Sequence, residues 1–166
     1  NVYDTDGGLI TWARTTARFH SGVASAFFDD GLSADPFQDG WLESPPIELP
    51  LNEVTLEFWE SINFASFYFR HTLWVCTADC GAPPTNYTLV TEFAGPPEDT
   101  FRRQRVDLSN YAGQTVRIAW RYEGDFADEW YIDDVSLFPS IPEFACDPQI
   151  GGLVVGTVFD DNTGGG

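Results

Sequence analysis

From Thr115 to Tyr122 polar and apolar residues alternate without a break. Val116, Ile118, Trp120 and Tyr122 fall on one side, and Thr115, Arg117, Ala119 and Arg121 on the other. A period of two predicts a half-buried β-strand. Glu53 to Trp59 repeats the pattern, with Val54, Leu56 and Phe58 on the inner side. Ser66 to Cys76 is almost continuously aromatic and apolar, as a strand buried on both faces would be. Gly22 to Phe28, Tyr87 to Phe93 and Arg102 to Leu108 predict further strands. No segment carries a long 3.6-residue apolar period, so helix is a minor component.

Turn chemistry separates these runs at Asp39-Gly40, Ser44-Pro45-Pro46, Gly81-Ala82-Pro83-Pro84, Gly95-Pro96-Pro97 and Ala112-Gly113. Asp107 to Gln114 predicts a single turn that sets Tyr111 against the edge of the core. Many short strands at this spacing predict an all-β fold, an antiparallel jelly-roll β-sandwich.

The stretch Trp130-Tyr131-Ile132-Asp133-Asp134-Val135-Ser136-Leu137-Phe138 breaks the alternation at two adjacent acids. Trp130 and Ile132 share a face. Val135 and Leu137 join it only if one extra residue is inserted, which predicts a β-bulge at Asp133-Asp134. Acids amid apolar strand neighbours need a partner, either a bound cation or an arginine.

Composition adds scale and charge. The 166 residues are 43% hydrophobic and 16% aromatic, with 14 Phe and six Trp, enough for one domain with a thick core. The net charge is −18, and all eight basic residues are arginine. Such a field repels nucleic acid and anionic membranes, and no apolar run reaches the ~20 residues of a membrane span. It suits solubility outside the cell or the binding of calcium, a hard cation that takes oxygen ligands. Cys76 and Cys80 are close enough in sequence for a small disulfide loop, which implies an oxidising, extracellular compartment. Two His and no second Cys pair argue against zinc. Cys146 is left for a partner outside this chain.

After Phe138 the composition shifts. Residues 1–140 are expected to form the sandwich, 141–150 a linker, and 151–166 the first strand and turn of a second β-domain.

Several pieces resemble one group of bacterial extracellular jelly rolls. They are Phe19-His20-Ser21-Gly22, Leu42 to Leu49, Val106 to Ile118 and Trp130 to Leu137. They occur in the order seen in the choice-of-anchor J domains, relatives of MAM domains and of the cleaved adhesin domains of secreted proteases. The Cys76 and Cys80 pair also suits that setting. The first eleven residues match the opening strand of such domains poorly. Gly151 to Gly164 resembles the start of a carboxypeptidase regulatory-like sandwich. The resemblance implies a MAM-like or galactose-binding-like jelly roll, serving as an accessory module of a secreted peptidase or adhesin. It also implies a structural Ca²⁺ held by Asp133 or Asp134. Early-loop oxygens would complete the site, with Asp29, Asp30, Asp35 and Asp39 the candidates. Two carboxylates ~4 Å apart repel by about 4 kcal/mol at an effective dielectric of 20, a cost that a divalent ion removes. Without an ion, one Asp would cap the bulge and the other would pair with Arg117 or Arg121.

Catalytic chemistry finds little footing. Glu57 and Glu60 are acids with nothing to orient them as a glycosidase pair. His20 and Ser21 are adjacent, which in a strand puts their side chains on opposite faces, and Gly-x-Ser-x-Gly is absent. His71 lies inside an aromatic run, as a packed residue would. Trp41, Trp59 and Trp74 are candidate ligand aromatics. The expected function is therefore a non-catalytic, extracellular binding module with a glycan, a protein or neighbouring domains as partners. The alternatives are a carbohydrate-active jelly-roll enzyme and a structural spacer.

Overall fold

The structure, a computed structural model, describes residues 1–5, 11–28, 37–64, 68–95, 98–124 and 129–139. Two antiparallel sheets pack face to face. The first, sheet A, runs in the order β1 (Val2–Asp4), β4 (Gln38–Glu43), β10 (Thr115–Gly124), β7 (Tyr68–Cys76) and β8 (Thr88–Glu92), with β5 (Ile47–Glu48) also pairing with β10. The second, sheet B, runs β2 (Ala13–Thr15), β3 (Ser25–Phe28), β11 (Trp130–Pro139), β6 (Val54–Ile62) and β9 (Arg102–Asp107). Among the described strands, only β2–β3 and β7–β8 are neighbours both in sequence and in a sheet. Most other connections cross between layers, as expected of a jelly-roll sandwich.

The alternation seen in the sequence is what fills the middle. Val54, Leu56 and Phe58 of β6 face Val116, Ile118, Trp120 and Tyr122 of β10, and all are nearly or fully buried. Each such side chain contributes roughly 1.5–3 kcal/mol by leaving water. A 3₁₀ turn at Ser109–Tyr111 follows β9, and Tyr111 packs on the core edge as expected. The N-terminus, poorly matched in sequence, still supplies a strand: β1 pairs with β4, Tyr3 against Trp41.

Asp39-Gly40, read above as a turn, lies inside β4. A Cβ on Gly40 would stand 1.9 Å from Phe28 Cε2, so glycine is there to admit the Phe28 ring. That ring stacks on Tyr122 with centroids 4.2 Å apart. Asp39 is tolerated in the strand because Arg121 grips it.

The bulge forms. Asp133 pairs with Trp59 and Ser136 with Glu57, so Asp134 and Val135 share the place opposite Phe58. Asp134 takes φ +48°, a region that Asp and Asn tolerate better than most residues. Leu137 returns to the core, but Val135 stays 50% exposed. It lines a cavity of about 470 Å³ between the sheets, with Trp12, Leu42 and Ile132.

Residues 141–166, with the expected linker and second domain, lie outside the described residues, as does Cys146.

Candidate binding faces and the aspartate corner

Sheet A has a second apolar layer on its outer face. Arg117, Ala119 and Arg121 of β10 point away from the core, beside Trp41 of β4 and Trp74 and Cys76 of β7. Trp41, Cys76, Tyr87 and Ala119 are buried there, with Tyr3, Trp74 and Cys80 packed against them. This explains why β7 reads as apolar on both faces. The segment after β7 is tied down by the Cys76–Cys80 disulfide, whose Cα atoms are 5.8 Å apart, and Asn86 Nδ2 donates to Asp79 O at 2.9 Å. Tyr87 at its end packs on Trp41 with centroids 5.9 Å apart.

Arginines organise the polar part of this face. Arg121 donates from Nε and Nη2 to the two oxygens of Asp39, at 2.7 and 2.6 Å, and its Nη1 lies 3.1 Å from Glu123 Oε2. Its guanidinium stands over Trp41 at 4.9 Å and Trp74 at 5.9 Å, a cation–π arrangement. Burial alone would lower the Arg121 pKa; the hydrogen bonds and charge of Asp39 outweigh it and raise the value. Burial pushes the Glu123 carboxyl up. Arg117 pairs with the buried Glu43. Burial and the Glu43 charge hold the Tyr87 phenol well above its usual range. At one end of the strip Phe37 and Phe69 are 42% and 59% exposed, with ring centroids 5.8 Å apart. Arg70 and Glu92 pair beside them at 3.1 Å.

The outer face of sheet B holds the aspartate corner. Asp133 Oδ2 accepts from the backbone N–H groups of His20 and Ser21, at 2.7 and 3.2 Å, and Oδ1 accepts from Asp134 N at 2.8 Å. Asp134 bonds His20 Nδ1 through Oδ2 and accepts from Ser21 Oγ through Oδ1, both at 2.6 Å. Hydrogen bonds from Ser21 and then His20 hold the Asp134 carboxyl below the usual carboxylate range. His20 stacks on Trp59, centroids 3.7 Å apart and planes 12° off parallel.

The corner corrects two expectations. His20 and Ser21 lie in a bend before Gly22, which has φ +68°, and not in a strand, so their side chains converge on one carboxylate. Hydroxyl and imidazole bond the acid side by side, which is no nucleophile–base pair. The partner of the two acids is this bend, while Arg117 and Arg121 serve Glu43 and Asp39 on the opposite sheet. The bend is the piece that sequence reasoning misplaced: Phe19-His20-Ser21-Gly22 stood out as a block, but His20 and Ser21 were read as strand residues.

The calcium expectation meets this geometry directly. All four oxygens of Asp133 and Asp134 already accept donors. Among the described residues no three His, Cys, Asp or Glu groups converge as a metal cage. Asp39 belongs to Arg121 in the other sheet, and Asp29, Asp30 and Asp35 lie outside the described residues.

The other candidates are dispersed. Trp41 is completely buried, Trp74 is half-buried next to it, and Trp59 has one ring face under His20. Glu57 points outward to Arg105 at 2.7 Å. Glu60 points inward, fully buried, where it accepts from Trp130 Nε1 at 3.0 Å and from Gln104 at 2.5 Å. The two acids thus lie on opposite faces and do not oppose each other across a cleft. His71 is also in the core, stacked on Trp130 at 4.5 Å, and burial lowers its pKa to about 3.

No protein-family model and no curated protein matches the chain. Solved structures do. The K1 cleaved adhesin domain of Lys-gingipain from Porphyromonas gingivalis W83 superposes with a TM-score of 0.65 at 21% identity, covering 85% of this chain and 90% of that one. TmCBM61, solved with β-1,4-galactotriose, gives a TM-score of 0.55 at 20% identity, covering 84% and 88%. The CBM22-1 xylan-binding domain of Paenibacillus barcinonensis Xyn10C gives 0.53 at 12% identity, covering 82% and 83%. At these identities the likeness is one of fold: an adhesin-like and carbohydrate-module-like β-sandwich.

Proposed function

We propose that this chain is a non-catalytic, extracellular binding module of a larger secreted bacterial protein, and that its ligand is a glycan held on the outer face of sheet A. The observation that carries the reading is Arg121, fixed between Asp39 and Glu123 above the rings of Trp41 and Trp74. Sugars offer apolar C–H faces and hydroxyls in alternation, and this strip offers the half-buried Trp74 ring and oriented ionic groups in the same way, with Trp41 buried beneath as their support. The exposed Phe37–Phe69 pair extends it. The disulfide suits an oxidising compartment. Neighbours described as adhesin and carbohydrate-binding domains share the fold.

Against an enzyme reading, the acid pair considered for it, Glu57 and Glu60, lies on opposite faces. The reading rests on the outer face of sheet A and is independent of any ion at Asp133 and Asp134.

Titration calorimetry with galacto- and xylo-oligosaccharides, after a glycan array, tests the proposal. Binding that Trp74→Ala and Arg121→Ala abolish, with near-ultraviolet circular dichroism retained, is the expected result. Silence across the array would turn the assignment toward a spacer.

A further inference from the structure

Sheet A ends in β1 and sheet B in β2, and each of these short strands pairs with a neighbour on one side only. Between these edges lies the cavity of about 470 Å³. Its walls are mostly apolar, with Val2, Trp12, Leu42, Ile132 and Val135, and the small side chain of Ala26 leaves room among them. Val2 and Val135 are 45% and 50% exposed, so part of this wall is apolar surface open to water. Small-molecule sites have this character, apolar with a few polar groups, and run from roughly 300 to 1,000 Å³.

Four polar side chains border the cavity: Arg14, Ser25, Asp133 and Asp134. Three are engaged elsewhere. Ser25 Oγ donates to Arg18 O at 2.7 Å. Asp133 and Asp134 turn to His20 and Ser21 on the outer face of sheet B and bond their backbone and side chains. Arg14 is different. It stands opposite Ala26, and Ala26 opposite the core residue Ile132, so register puts Arg14 on the inner side of β2, two residues after the buried Trp12. Arg14 is exposed there, at the mouth of the cavity. Among the described residues it has no carboxylate partner, whereas every other arginine reaches one within 3.8 Å. In a chain of net charge −18, an arginine without an acid is the exception.

We propose that this cavity binds a small amphiphilic monocarboxylate, with its apolar body between the sheets and its head on the Arg14 guanidinium. A guanidinium presents paired N–H donors that match the two oxygens of a carboxylate. A cation of the same shape would meet Arg14 with like charge. A dianion would bring a second negative charge toward Asp133 and Asp134, with a single arginine to offset it. An inward arginine also blunts a short edge strand, but that role leaves the open apolar wall beside it unexplained. The cavity lies between the layers and not on the outer face of sheet A, so this proposal and the glycan reading stand or fall independently.

Octanoate titrated calorimetrically into the whole chain should bind, and the methyl resonances of Ala26 and Val135 should shift in a parallel titration followed by NMR. Octan-1-ol keeps the tail and lacks the charge; it should bind about tenfold or more weakly, as should octanoate to Arg14→Gln. 3-Phenylpropanoate in place of octanoate tells an aryl body from an acyl chain, and binding of either acid supports the site. Ala26→Leu, which fills the cavity, should abolish binding. Octylammonium or octan-1-ol matching octanoate, undiminished binding by Arg14→Gln or by a folded Ala26→Leu, or binding without the two methyl shifts would each overturn the proposal. So would silence with both acids, which would leave Arg14 the edge-blunting role alone. Should Ala26→Leu not fold, the methyl shifts of the unaltered chain still decide.

Discussion

His20 and Asp134, 114 residues apart in sequence, meet at 2.6 Å, and their contact closes the bend of residues 19–22 over the bulge of β11. Asp134 is both the residue in the left-handed region and the acceptor of two side-chain bonds. Asp134→Asn keeps the backbone preference and weakens the acceptor; Asp134→Ala loses both bonds and strains φ. The expected destabilisation is about 1 kcal/mol for Asn and about 2–3 kcal/mol for Ala in urea unfolding. Equal values for the two would show that the backbone geometry contributes nothing.

The acids of this corner should not need an ion. After chelation, adding CaCl₂ is expected to leave the melting temperature unmoved, because the Asp133 and Asp134 oxygens already accept donors. A rise of several degrees would mean that calcium binds and that ligands beyond the described residues take part.

Acid sensitivity should come from His71. Its pKa falls from 6.5 to about 3 on folding because burial disfavours the imidazolium. The unfolded chain therefore binds the proton more readily. The stability is complete above pH ~6.5 and is lost progressively as pH falls toward 3, by roughly 3 kcal/mol between pH 7 and pH 4. Asp134, depressed in the folded state, adds a further loss below its unfolded value of 3.8. His71→Leu should flatten the slope between pH 6.5 and 4 in unfolding titrations. An unchanged slope would refute the assignment.

Gly40→Ala tests the close approach of Phe28. With a Cβ placed 1.9 Å from that ring, β4 or the ring must move, and the cost should reach about 3 kcal/mol or more. Gly40→Ala combined with Phe28→Leu should recover part of the loss. A neutral single substitution would contradict the packing described.

The strands were legible because one residue in two is buried against a single apolar layer, as in β6 and β10. Even the bulge was legible, since Ile132 and Leu137 are an odd number of residues apart and both belong inside. Three features were not legible. Asp39-Gly40 reads locally as a turn, and only the distant Phe28 and Arg121 make it strand. Trp41 looks like a ligand platform until Tyr87 packs on it. The partner of Asp133 and Asp134 is a bend more than a hundred residues upstream, and no local pattern encodes such a pairing. Periodicity reports burial along one strand; it does not report which loop lands on which edge.

The disulfide-bound segment over sheet A has a further consequence. A β-sandwich normally has one dry layer, between its sheets, but this one has a second on its flank. The inner layer contains no cysteine pair, whereas the outer one is fastened by Cys76–Cys80. A reductant should therefore loosen the domain from outside inward, uncovering Trp41 while the two sheets stay together. A module built this way would change its surface, and not its fold, on moving between oxidising and reducing surroundings.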